Sequence, residues 1–207
     1  MIVIISADEG AMLEELPWSE RAVPAGGHLF SAGDPSPGLL RLLAGRLRLE
    51  RSGAAGGVTV LHLVRPGESF AEASLFEPLC HCDAVALSDC RVALLPAPLL
   101  RRALASDPRA ALALAEHLAR RLVQSRARVE LLSLRGAEAR LLAFLESLPA
   151  DPEGWRRIEG SWSEAAESLA LTREAVYRTL ASLQRAGRLE RRGGSVRIAG
   201  EGAEAVV

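Results

Sequence analysis

"LTREAVYRTLASLQRAGRLERRGGSVRI", residues 171–198, decides how this chain is read. Two helical patterns, residues 163–169 and 172–186, meet at a tight Ala170-Leu171 turn. Thr172 suits the N-cap of the second, because its hydroxyl can accept a backbone N–H that the helix leaves unpaired. Glu174 in the first turn suits the positive end of the helix dipole. After Gly187, "RLERRGGSVRI" reads as a short hairpin turning on Gly193-Gly194. Helix, turn, helix and hairpin predict a winged helix–turn–helix, whose second helix enters a DNA major groove.

Arg173, Glu174 and Arg178 are spaced i, i+1, i+5, which puts the first two at the tip of that helix, beside Thr172, and the third one turn deeper. Arg can bind guanine O6 and N7 together, and Glu can accept from cytosine N4. Arg191, Arg192 and Arg197 around the wing, with Ser161 or Ser163 at the start of the first helix, are suited to phosphate. Phosphate contacts position a protein without specifying sequence. Between residues 171 and 200 seven Arg stand against two acids, a local excess of five in a chain of net charge −1. All 25 basic residues are Arg, so their abundance says little and their clustering says more.

Upstream the texture changes. Turn clusters at Ala25–Gly27, Gly33–Gly38, Gly53–Gly57 and Pro66–Gly67 separate apolar runs such as Leu39–Leu43, Leu47–Glu50 and Val58–Val64. Turns at this spacing predict an all-β sandwich or barrel. "DAVAL" and "RVALLP", joined across Ser88–Cys90, read as a further hairpin. At Asp107-Pro108 an N-cap and a first-turn proline open a long helix. Along it Ala111, Ala115, Leu118, Leu122, Ser125, Val129 and Leu132 fall in alternating steps of four and three, a heptad seam that predicts helix pairing in a homodimer. Gly136 marks a break, followed by a short helix over 137–148 and a Pro/Gly linker over 149–160. The expected organisation is α+β: an all-β sandwich or barrel over 1–106, a dimerisation helix over 107–135, and a winged helix–turn–helix over 136–207.

No apolar run reaches the roughly 18 residues of a membrane span, and "MIVIISADEG" is too short and too soon acidic for a secretory signal. A cytoplasmic protein with reduced thiols is expected. A rival reading, an enzyme on a cupin-like barrel, would need converging His and carboxylate ligands. His28, His62, His81 and His117 are scattered and form no H-x-H or E-x-x-H pair.

The chain resembles, over about residues 20–198, the superfamily of cyclic-AMP receptor protein and the fumarate–nitrate reduction regulator (CRP/FNR). "VPAGGHLFSAGD", "LLRLLAGRLRL" and "RPGESFAEASLF" look like its effector β-roll, a double-stranded β-helix. Arg173, Glu174 and Arg178 match its base-contacting Arg-Glu-x-x-x-Arg. The resemblance implies a homodimeric transcription factor on palindromic double-stranded DNA with TGTGA- or TTGA-type half-sites, and RNA polymerase as a further candidate partner. Cyclic-nucleotide binders of the family carry a Gly-Glu pair for the ribose and an Arg-Ser pair for the phosphate. Here Glu72 matches the Glu, Ala71 replaces the Gly, and no Arg occurs between Pro66 and Cys90. Burying a phosphate without a cation is costly, so cyclic AMP is not the expected effector.

Cys80-His81 fills the Arg-Ser slot. The chain's three cysteines, Cys80, Cys82 and Cys90, all lie in "LCHCDAVALSDC", residues 79–90, and none precedes Cys80, which disfavours the family's amino-terminal iron–sulfur cluster. If the segment is extended, Cys80 and Cys82 share one face and His81 takes the other. Several readings stay open: Cu(I) or Zn(II) on the thiolates with Cys90 nearby, haem held by His81, Cys80, His28 or His62, direct thiol oxidation, an organic ligand, or thiols that simply fill the core. His117 and His28 read as structural. A regulator that binds DNA constitutively, with a vestigial effector pocket, is the other outcome.

Overall fold

The computed structural model describes residues 16–53, 57–158 and 160–199. "MIVIISADEG" and residues 54–56 of the Gly53–Gly57 turn lie outside them. The chain divides into two compact units, residues 1–123 and 124–207.

The first unit is the β-roll. One sheet runs in the order β1 (Ser19–Val23), β8 (Cys90–Pro96), β3 (Gly38–Ala44), β6 (Ser69–Phe70). The other runs β2 (His28–Phe30), β7 (Asp83–Ala86), β4 (Leu47–Ser52), β5 (Val58–Val64). Neighbouring strands pair antiparallel in both. Leu40, Leu42, Phe70, Val92 and Leu94 of the first sheet share a core with Phe30, Leu47, Val64, Ala84 and Ala86 of the second. Strands β3 and β8 are buried on both faces, which explains their near-continuous apolar runs. Leu40 and Leu94 point into the roll, while Leu39 and Leu95 pack against α1 (Ala97–Ser106) and α2 (Pro108–Ser133).

The expected hairpin of "DAVAL" and "RVALLP" is corrected. Strand β7 pairs with β2 and β4, and β8 pairs with β1 and β3, so the chain changes sheets between them. Each strand is largely buried and needs a partner on both edges, which a two-stranded fold-back would not supply. The corner is stapled instead: Ala25 N–H donates to the Asp89 carboxylate at 2.9 Å, and Arg46 N–H donates to Ser88 Oγ at 3.1 Å. Gly45, at φ +92°, crosses the same corner; a Cβ there would stand 2.3 Å from the Asp89 carbonyl oxygen. Helix α1, with a proline in its first turn, was not anticipated.

Helix α2 begins as expected, with the Asp107 carboxylate accepting from Arg109 N–H at 2.9 Å. It carries two stripes. Ala110, Ala113, Leu114 and His117 are buried against the roll side. Of the heptad seam, Ala111, Ala115, Leu122, Ser125 and Val129 are exposed, and Leu118 and Leu132 are half-buried.

In the second unit α3 (Ala137–Glu146), α4 (Trp162–Ser168) and α5 (Arg173–Arg185) enclose Leu141, Leu145, Leu169, Val176, Leu180 and Leu183. A three-stranded sheet covers them in the order β10 (Leu189–Arg192), β11 (Ser195–Ile198), β9 (Trp155–Arg157). Strand β9 corrects the reading of 149–160 as linker: it adds an edge to the wing by pairing with β11.

Candidate functional site

Helix α5 is set by its ends. Thr172 Oγ1 accepts from Ala175 N–H at 3.1 Å, as its capping role requires. Val176, Thr179, Leu180 and Leu183 are its buried residues. At about 100° per residue, Glu174, Arg178 and Arg185 lie within about 30° of the direction opposite that buried face. Arg173 stands on the flank, its guanidinium 5.5 Å from the Tyr177 ring centre. Thr172, Arg173, Glu174 and Arg178 are all exposed. The sequence reading found this triplet but missed Tyr177 and Arg185 on the same outward side, although Tyr177 is the i+4 neighbour of Arg173.

Around this helix the other basic residues separate by partner. Arg188 is ion-paired with Glu138, and Arg197 with Glu190 at 2.7 Å. Arg178 and Arg192 are exposed and have no ion pair among the described residues. Arg191 is half-buried, its guanidinium 5.5 Å from the Trp162 ring centre. Ser161 caps α4 in a capping box: its Oγ accepts from Glu164 N–H at 3.2 Å, and its own N–H donates to the Glu164 carboxylate at 3.0 Å. Ser163 is half-buried in the first turn.

In the roll, Cys80 and Cys82 are buried and His81 is exposed, the expected alternation. Cys90 is buried too, its thiol donating to the carbonyls of Arg46 and Ser88 at 3.2 Å each. Burial pushes the Cys80 thiol upward, with Asp34 adding to it. Burial also takes Cys82 up to about 11, with Cys80, Asp83 and Glu72 acting in the same direction against Arg51. Such thiols are protonated at neutral pH, whereas a reactive nucleophile must be thiolate. Among the described residues no three His, Cys, Asp or Glu side chains converge to hold a metal ion, so the donor set does not fit a Zn(II) centre or a three-thiolate copper centre. His28 and His81 are exposed, and His62 is engaged with Glu68.

Glu72 is answered from within the chain. Arg121 of α2 donates its Nε–H to Glu72 Oε1 at 2.8 Å, and its Nη1 lies 3.3 Å from His62 Nε2. His62 Nε2 also sits 2.9 Å from Glu68 Oε2. Burial raises the Glu68 carboxyl, but the His62 hydrogen bond and charge, the Arg65 N–H and Arg121 together hold it below the usual value. His117, one turn before Arg121, is buried with no hydrogen-bond partner at Nε2 among the described residues. Burial lowers its pKa; Glu72 opposes this while Arg121 and Arg120 add to it. Arg121 was not singled out from sequence, although it continues the buried stripe of Ala110, Leu114 and His117. Ala71, in the place of the family's Gly, holds the left-handed backbone, φ 67°, that a Gly would adopt freely.

Residues 20–107 match the cyclic nucleotide-binding domain family. The transcriptional regulator SdrP of Thermus thermophilus is 30% identical over 181 residues, covering 84% of this chain and 86% of that protein. A solved transcriptional regulator of the CRP/FNR family from Thermus thermophilus is 29% identical with a TM-score of 0.57, covering 87% of this chain and 93% of that one. The structure of FixK2 from Bradyrhizobium japonicum shares the fold at 22% identity and a TM-score of 0.70, covering 89% and 94%.

Proposed function

Because this chain belongs to the CRP/FNR family of transcriptional regulators, we propose that it binds palindromic DNA as a homodimer through α5, with the α2 seam joining its two copies. It is a regulator and not an enzyme. The outward face of α5 carries the DNA reading: Glu174 and Arg178 stand opposite its buried residues, with Arg173 beside them, all exposed. Arg173 and Arg178 read guanine edges and Glu174 reads cytosine, while Arg192 and Ser161 meet phosphates. The test is a binding titration at fixed salt on a TGTGA-type palindrome and a scrambled duplex. Arg173→Ala or Glu174→Ala abolishes discrimination between them; unchanged discrimination contradicts the assignment.

A second reading concerns control. The Arg121–Glu72 ion pair supports a roll whose ribose-binding carboxylate is already satisfied from within, and so a constitutive regulator with a vestigial pocket. Cyclic AMP is not the expected ligand, since no Arg lies between Pro66 and Cys90 to meet a phosphate. DNA affinity is then the same with and without cyclic AMP. A Soret band, or stoichiometric copper or zinc in anaerobically purified protein, contradicts this reading.

A further inference from the structure

Trp and Tyr are scarce in this chain, three and one respectively, yet the tyrosine and two of the tryptophans lie against arginines of the second unit. The three pairs differ. Arg197, 5.0 Å from the Trp155 ring centre, is also ion-paired with Glu190. Arg173 stands exposed at the tip of α5, against Tyr177. Arg191 is half-buried and has no ion pair among the described residues; what it has is the face of Trp162, whose indole packs on the unit's core. Strand alternation explains the pairing: Leu189 is buried, so Arg191 points to the same inner side of the wing, while Glu190 and Arg192 point out.

A guanidinium lying on an aromatic face is attracted to it and loses rotamer freedom, yet keeps its in-plane N–H donors for a bidentate acceptor. We propose that Trp162 is the positioning residue for Arg191, fixing the wing arginine with its edge turned to a DNA phosphate. The stack also ties the wing to α4, so the phosphate contact and the helix–turn–helix share one frame. Sequence-independent contacts of this kind appear in the salt dependence of binding, at about 0.9 per phosphate in a log–log plot. This inference rests on the DNA reading proposed above.

The test titrates the full chain and its variants with the palindromic and scrambled duplexes over a range of salt. Trp162→Leu and Arg191→Ala each make the slope shallower by about two, one contact per subunit of the dimer. Each weakens both duplexes by the same factor, and the double variant loses no more than Arg191→Ala alone. Trp162→Phe, which keeps a π face, keeps the wild-type slope. Trp162→Met, flexible enough to fill part of the gap and without a π face, replaces the leucine variant should that one melt at the assay temperature. A Trp162→Leu slope equal to wild type, an additive double variant, or a Trp162→Phe loss as large as that of Trp162→Leu overturns the proposal. Wild-type protein that binds neither duplex overturns the DNA reading itself, a different result from normal binding with an unchanged slope.

Discussion

Ala170 and Gly187 occupy the same place in two helix caps. At the end of α5, Gly187 at φ 69° sends Gly187 N–H to Gln184 O and Arg188 N–H to Leu183 O. At the end of α4, Ala170 at φ 50° repeats the pattern, with Ala170 N–H to Glu167 O and Leu171 N–H to Ala166 O. A left-handed Ala costs about 1–2 kcal/mol, partly offset by the entropy a Gly would lose on folding, about 0.5–1 kcal/mol. Ala170 is exposed, so no packing is lost on substitution. Ala170→Gly is therefore expected to stabilise by about 0.5–1 kcal/mol in urea unfolding, leaving DNA discrimination unchanged. The thiols carry a second prediction at this scale. With Cys82 pushed up to about 11 and all three cysteines buried, native protein reacts slowly with iodoacetamide at pH 8 and rapidly once unfolded. Fast native labelling would contradict a core role. The alternation of Cys80, His81 and Cys82 was legible in the sequence. What surrounds the thiols was not, because β7 and β8 find their partners far along the chain.

Helix α2 shows how far one element can be read. Its heptad seam and its Asp107 cap were evident from spacing, yet the second stripe ending in His117 and Arg121 was not separated from it. The roll that buries this stripe is assembled from strands up to about ninety residues upstream. The stripe sets the acid response. Because burial lowers the His117 pKa below the ordinary value of 6.5, the native state binds fewer protons than the unfolded chain. Stability is then full above about pH 6.5 and falls as pH drops toward the depressed native value. Glu68, also lowered, adds a second loss below its ordinary value of 4.5. His117→Leu is expected to flatten the first limb in urea unfolding between pH 7 and 5, while the limb due to Glu68 persists. An unchanged first limb would remove His117 from the account. The other misreadings have the same origin. Strand β9 is too short for a periodic signal and exists by pairing with β11, and the supposed hairpin at Ser88–Cys90 is a corner between sheets.

For the whole molecule, the family and the order of roll, long helix and winged helix–turn–helix were legible because turn spacing, heptads and the Arg-Glu-x-x-x-Arg triplet agree. Assembly is where this architecture meets function. Leu112, Leu122, Val123 and Val129 are among its exposed large apolar residues, all on α2. Of these, Leu122 and Val129 lie on the heptad seam, and burying each in the proposed dimer contributes about 1.5–3 kcal/mol. Val129→Glu or Leu122→Glu is expected to give monomers in sedimentation and to lose palindrome binding in parallel. The most direct test of the account varies the phase of two TGTGA-type half-sites on one duplex. A dimer presenting paired α5 helices binds half-sites one helical turn apart, about 10–10.5 base pairs between centres. One dimer per duplex, with affinity collapsing when about five base pairs are inserted, is the predicted result; equal affinity for both duplexes would contradict it.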